Sequence, residues 1–183
     1  MLVSEREVRL KDGRRVWLRS PRQADVDQVL PFLVKLGEQS WRNLNHPAAY
    51  FARMTRDAET AFLRDLEAHP RSFFLSAFTE SGVVGNVGCR MSPATVAAHC
   101  GEIGIGILEA YQGVGFGTEL LGRAIDEAAR VGLVNLTLRV RTFNAAAIRL
   151  YEKLGFERVG TLRGVARIEE TFADEYVYQR LEG

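Results

Sequence analysis

The chain has little of several things whose presence would fix a function class. It holds two cysteines, Cys89 and Cys100, with no paired spacing and with small or apolar neighbours. That excludes a disulfide framework and predicts buried thiols in a reducing cytosol. Its three histidines, His46, His69 and His99, lie far apart, and no Cys/His/carboxylate cluster has ligand spacing, so no metal is expected. Net charge is only +1, which excludes the global attraction for nucleic acid that a basic protein has. Lysine is nearly absent: arginine supplies 21 of the 24 basic residues, scattered rather than clustered. No apolar run approaches the roughly 18 residues needed to span a bilayer, and there is no charged-then-apolar leader. The expectation is a cytoplasmic protein, with no nucleic-acid or membrane partner.

What is present is ordinary globular composition, 46% hydrophobic and 26% charged over 183 residues. That length predicts one domain over 1–183, able to bury a core without staples. No internal repeat, low-complexity tract or linker divides it. Alternation around Asp12-Gly13 predicts a hairpin at about 7–19. Helical spacing follows Ser20-Pro21 to about Gly37, with Pro31 inside it predicting a kink or a split. An aromatic, irregular stretch at 38–56, with room for one short helix, precedes a helix at 57–69. Strands are expected at 72–78, 83–91 and 100–108, then a helix at 117–130 and a strand at 134–141. Asn144 caps a helix to Leu154, and strands close the chain at 157–162 and 173–181. This order describes an α/β (α+β mixed-sheet) fold with helices on both faces.

Three features within about fifty residues carry chemistry. In the strand at 100–108, Ile103, Ile105 and Ile107 face one way and Glu102, Gly104 and Gly106 the other. Interior strand glycines mark close backbone approach, so this face is expected to be open to an extended ligand, although such glycines also serve to admit a packed neighbour. The turn Gln112-Gly113-Val114-Gly115-Phe116-Gly117-Thr118 then leads into a helix. Its alternating glycines let backbone N–H groups turn toward an anion, and the helix N-terminus adds partial positive charge. The turn therefore reads as a phosphate cradle, a reading shared with purely structural glycine turns. Tyr151 stands seven residues after Asn144, almost two turns along the same helix face. A Walker loop is excluded because Gly117 to Gly122 is followed by Arg123-Ala124 rather than Lys-Ser/Thr. A dinucleotide fingerprint fails because Thr118 stands where its third glycine belongs.

Residues 103–156 resemble the acetyl-CoA-binding core of the GNAT superfamily of N-acetyltransferases. Gln112-Gly-Val-Gly-Phe-Gly117 fits the family's Gln/Arg-x-x-Gly-x-Gly/Ala turn, and Asn144-Ala-Ala-Ala-Ile-Arg-Leu-Tyr151-Glu-Lys-Leu-Gly-Phe156 fits its Asn…LeuTyr-x-x-x-Gly-Phe helix. The likeness extends from about residue 8 onward, with the binding core at about 100–156. It implies a GNAT-like fold, mostly antiparallel, and acetyl-CoA as acyl donor with no metal. The pyrophosphate would then rest on the amides of residues 113–118. The pantetheine arm would run along Ile105, Gly106 and Ile107, Asn144 would contact that arm, and Tyr151 would reach the sulfur. The reaction implied is direct attack of a neutral primary amine on the thioester, with Tyr151 as proton donor.

Glu102 is the candidate base, and its commoner alternative is an exposed strand glutamate. The acid some members carry on the next strand is replaced here by Arg139. The basic residue that often follows the family's Gln is missing, so Lys153 or Arg149 is left to assist the backbone. Acceptors open at this point are a small-molecule amine, a protein N-terminus or a lysine, and a homodimer is consistent with the family. The rival reading is a non-catalytic acyl-CoA-binding or sensing module of the same fold.

Overall fold

A computed structural model describes residues 1–182. Eight strands form one sheet: β1 (Arg6–Arg9), β2 (Arg15–Arg19), β3 (Phe73–Thr79), β4 (Gly82–Met91), β5 (Cys100–Ile107), β6 (Asn135–Arg141), β7 (Glu157–Ile168) and β8 (Thr171–Leu181). Their spatial order is β1-β2-β3-β4-β5-β6-β8-β7. Every pairing is antiparallel except β5 with β6, which run parallel. A parallel pair needs a long crossover, and α4 (Phe116–Arg130) supplies it.

Helices cover both faces. On one lie α4 and α5 (Ala145–Lys153). The apolar stripe of α4, Phe116, Leu120, Leu121, Ala124 and Ala128, is buried in a core shared with Leu75, Val87, Leu136 and Leu138. On the other face lie α1 (Val26–Ser40), α2 (Ala48–Ala52) and α3 (Arg56–Ala68), with Val29, Phe32 and Leu36 turned inward. The two faces meet at glycines. A Cβ on Gly106 would come 2.5 Å from Leu36 Cδ2 in α1, and one on Gly85 would come 2.8 Å from Phe116 Cε1 in α4. Residues 106 and 85 therefore mark opposite sides of the sheet.

Three elements, α1, β7 and β8, differ from the sequence expectation, and the 38–56 stretch agrees with it. α1 runs through Pro31 without a break and extends to Ser40, because its buried stripe continues on both sides of the proline. The 38–56 stretch contains a single 3₁₀ turn at Trp41–Asn43 and the short helix α2, whose Phe51 packs against Gly37. The strands β7 and β8 are longer than expected, pairing up to Ile168 and Thr171; register shifts near Gly160 and Gly164 absorb the irregular stretch that obscured the alternation. The 163–172 connection is thus a hairpin tip rather than a loop.

Candidate active site

The parallel pair β5–β6 is joined only at Cys100–Asn135, Gly101–Leu136 and Glu102–Thr137, yet β5 continues to Ile107 and β6 to Arg141. Past Glu102 the strands separate into a fork. The amide of Leu108 donates to Val84 O at 3.1 Å, toward β4. Main-chain groups alternate sides along an antiparallel strand, so those of Ile105 and Ile107 point into the fork. Among the described residues they have no ladder partner in β6. The Ile107 carbonyl is met instead by Gln112, whose Nε2 donates to it at 2.9 Å. Gln112 thus ties the glycine turn to the end of β5.

The turn itself is built as a cradle. Gly113 (φ 75°) and Gly115 (φ 82°) occupy the left-handed region, where a side chain is strained, and Gly115 is the N-cap of α4. Five consecutive amides, residues 113 to 117, make no backbone hydrogen bond among the described residues. Buried or bound, such donors require a partner, and their direction at a fifteen-residue helix's N-terminus suits an anion. Phe116 contributes only its main chain, since its ring is wholly buried. The Val114 side chain packs against the core. The sixth expected donor differs: Thr118 N–H already donates to Gly115 O at 3.1 Å. Its hydroxyl accepts from Lys153 Nζ at 3.2 Å, which brings that ammonium to the cradle's rim.

One cation near the turn escaped the sequence reading. The stem of Lys11, from the β1–β2 hairpin, lies over Gly115, its Cε 3.1 Å from where a Cβ would stand. Arg14 of the same hairpin donates to Ala110 O at 2.9 Å and lies over the Tyr111 ring, which holds the hairpin against the turn. No local signal announces this: about a hundred residues separate the partners.

The glycines of β5 behave differently from one another. Gly104 faces open space, as expected. Gly106 does not: it is buried against Leu36 and Asn86, and its register partner in β4 is Asn86. Its missing side chain admits a packed helix, so the open lane along this face is confined to Gly104. Glu102 is exposed on the same face and occupies the last paired rung, where the fork begins.

Tyr151 approaches from the opposite face. Leu150, beside it on α5, packs on Gly117 together with Ile107. The Tyr151 ring is 6% exposed and sits edge-on to Phe156. Its hydroxyl makes no hydrogen bond among the described residues, and burial pushes the phenol up to about 12. Asn144 caps α5 by accepting from Ala147 N at 3.2 Å, leaving its side-chain amide N–H groups free for other partners. Tyr151 and Glu102 thus belong to opposite faces of one sheet and communicate only through the fork. Arg139 is exposed on Glu102's side, while Arg141 there is buried, paired with Glu175 and donating to Leu44 O at 3.0 Å.

A fork of unpaired strand amides, a five-amide cradle and a buried phenol fit an extended thioester cofactor ending in phosphates. Comparison with known proteins agrees. Residues 38–156 match the Acetyltransferase (GNAT) family. The chain is 39% identical over 127 residues to the N-alpha-acetyltransferase RimI of Mycobacterium tuberculosis, covering 67% of this chain and 74% of that protein. A GNAT-family acetyltransferase from Streptococcus pneumoniae superposes with a TM-score of 0.84 at 28% identity, over 92% of this chain and 99% of that one. The fold is also that of yncA from Salmonella typhimurium, in a structure holding its cofactor acetyl-CoA, with a TM-score of 0.79 at 21% identity over 92% and 95% of the chains. The chain belongs to the GNAT family and is an acetyl-CoA-dependent N-acetyltransferase.

Proposed function

We propose that this enzyme moves the acetyl group of acetyl-CoA to a primary amine by direct attack at the β5–β6 fork. The observation that carries the reading is the run of five unbonded amides at 113–117 beside the unpaired edge of β5. In this reading the amides of 113–117 hold the pyrophosphate, Lys153 and Lys11 lend charge at its rim, and the main chain of Ile105 and Ile107 pairs with the pantetheine arm. The packing of Gly106 argues for a structural share in that strand, and Thr118 acts through its hydroxyl contact with Lys153 rather than its amide. The free amide N–H groups of Asn144 are available to the arm.

Acetyl-CoA supplies the electrophilic acyl carbon and a thiolate leaving group. The protein's part is to present a neutral amine, stabilise the oxyanion and meet the departing sulfur. Amides directed into the fork from β5 are donors of the kind that stabilise such an oxyanion. Glu102, at the mouth of the fork, takes the amine's proton directly or through water. Tyr151 donates to the sulfur. A phenol pushed to about 12 remains protonated at every physiological pH. Handing its proton over completely to a thiolate whose acid lies near cysteine's ~8.5 would be uphill by roughly 5 kcal/mol. Tyr151 therefore acts as a fixed hydrogen-bond donor to developing charge, a role that also suits its otherwise unpartnered hydroxyl.

Acceptor choice is assigned to the opposite face, among α1, α2 and the β7–β8 tip, where Arg42 and Glu169 form an ion pair at 2.7 Å. A thiol-release assay with acetyl-CoA and a panel of amines, including peptides with free N-termini, tests the reading. Acetylated product with stoichiometric thiol is expected. Tight coenzyme A binding without turnover on any amine would favour a sensing module.

A further inference from the structure

The α1–α2–α3 face contains an apolar cavity of about 730 Å³ that the reaction at the fork does not use. Its walls are Val29 and Leu33 from α1, Tyr50 and Phe51 from α2, and Phe62 and Phe74, whose rings meet edge-on at 6.0 Å. Into this lining comes one acid. Glu59 is 3% exposed, lines the cavity, and makes no side-chain hydrogen bond or ion pair among the described residues. Burial raises its pKa. A carboxyl group without a partner in an apolar wall is destabilising, and a ligand that brings a cation relieves it. Arg53, the other charged lining residue, is exposed at the rim and forms no ion pair with it.

The cavity's Phe74 wall shares one cross-strand row with the fork. Phe74, Gly88 and Gly104 lie in one row across β3, β4 and β5. The Phe74 ring covers Gly88, 2.7 Å from where its Cβ would be, and Gly104 beyond it faces open space. Two strand spacings, ~10 Å, separate the Phe74 wall from the bare strand beside Glu102.

We propose that this cavity is the acceptor-recognition chamber, and that it takes a diamine: a primary amine that reacts at the fork, an apolar spacer over Phe74, and a second cation held by Glu59. The inference rests on the acetyl-transfer reading of the fork. The spacer matches the lining, and the second cation matches the one acid among its described residues.

The test is calorimetric titration of the protein, with and without coenzyme A, using 1,8-diaminooctane and octylamine. The diamine should bind about tenfold tighter, and Glu59→Gln should bring the two within about twofold. Ala58→Trp, at an exposed position on the cavity wall, should weaken both; it keeps the test decisive if the Glu59 variant does not fold. Equal affinities in the unaltered protein, a preference that survives Glu59→Gln, or binding indifferent to Ala58→Trp would overturn the chamber. Thiol release from acetyl-CoA then separates the two readings. A diamine that binds without being acetylated, while other amines are, overturns the chamber as an acceptor subsite and leaves acetyl transfer standing. No thiol release with any amine, an alanyl peptide included, overturns both.

Discussion

The two faces of the sheet are built from different materials. On the α4–α5 face the proposed cofactor half consists of main chain: amides 113 to 117, the free edge of β5 and two glycines held at positive φ. On the α1–α3 face the proposed acceptor half consists of side chains, Glu102, Glu59 and an aromatic cavity, brought together from five elements. Backbone recognition requires particular residues at fixed local spacing, whereas side-chain recognition requires only that a few residues converge in space. The first can be kept while the second varies, and that is how one fold serves many acceptors.

Substitutions probe the wall between the faces and then either side of it. Gly106→Val would drive a branched side chain into Leu36, and we expect a loss of about 3 kcal/mol in urea unfolding. Unaltered stability would mean that α1 does not rest on β5 as described. On the cofactor face, Tyr151→Phe removes one donor to a charged sulfur. It should slow turnover about fiftyfold with coenzyme A affinity nearly unchanged. A parallel loss of affinity would make Tyr151 a packing residue.

On the proposed acceptor face, Glu102→Gln should cost about tenfold in turnover and alter the pH–rate profile. Because Tyr151 stays protonated to about pH 12, no limb between pH 6 and 10 belongs to it. An unchanged profile in Glu102→Gln would transfer the base role to water or another group.

The smallest effect concerns the entry to α1. Arg19 clasps Asp25 with two hydrogen bonds, 2.6 and 2.8 Å, and holds its carboxyl below the usual range. With the folded pKa depressed, this stabilisation is present above the ordinary carboxylate pKa of ~3.9 and is lost as pH falls through the lower folded value. Asp25→Asn should therefore lower stability by about 1 kcal/mol at pH 7 and by less once pH falls through the lowered folded value, by thermal or urea unfolding.

The same division explains what the sequence disclosed. The glycine turn, the Asn144 cap and the helix carrying Tyr151 were legible because each is a local pattern in which glycine, Asn or an i, i+7 spacing is dictated by backbone geometry. The positions of the strands through β6 followed from alternation and turn chemistry, while their order in the sheet did not. Gly106 misled, because a strand glycine looks alike whether it faces a ligand or a leucine five elements earlier. Pro31 misled because its local penalty is outweighed by a continuous buried stripe. Lys11 over Gly115, and Glu59 within the aromatic cavity, left no trace along the chain; both exist only after distant elements pack.

The central claim is that main chain, more than side-chain charge, holds the cofactor. Calorimetric titration of coenzyme A into Gly115→Val and Lys153→Ala, each checked for folding by its thermal transition, tests it directly. A branched residue at φ 82° distorts the cradle and should weaken binding about thirtyfold. Loss of the rim ammonium should weaken it only about threefold. The reverse order, with Lys153→Ala crippling and Gly115→Val tolerated, would contradict the account.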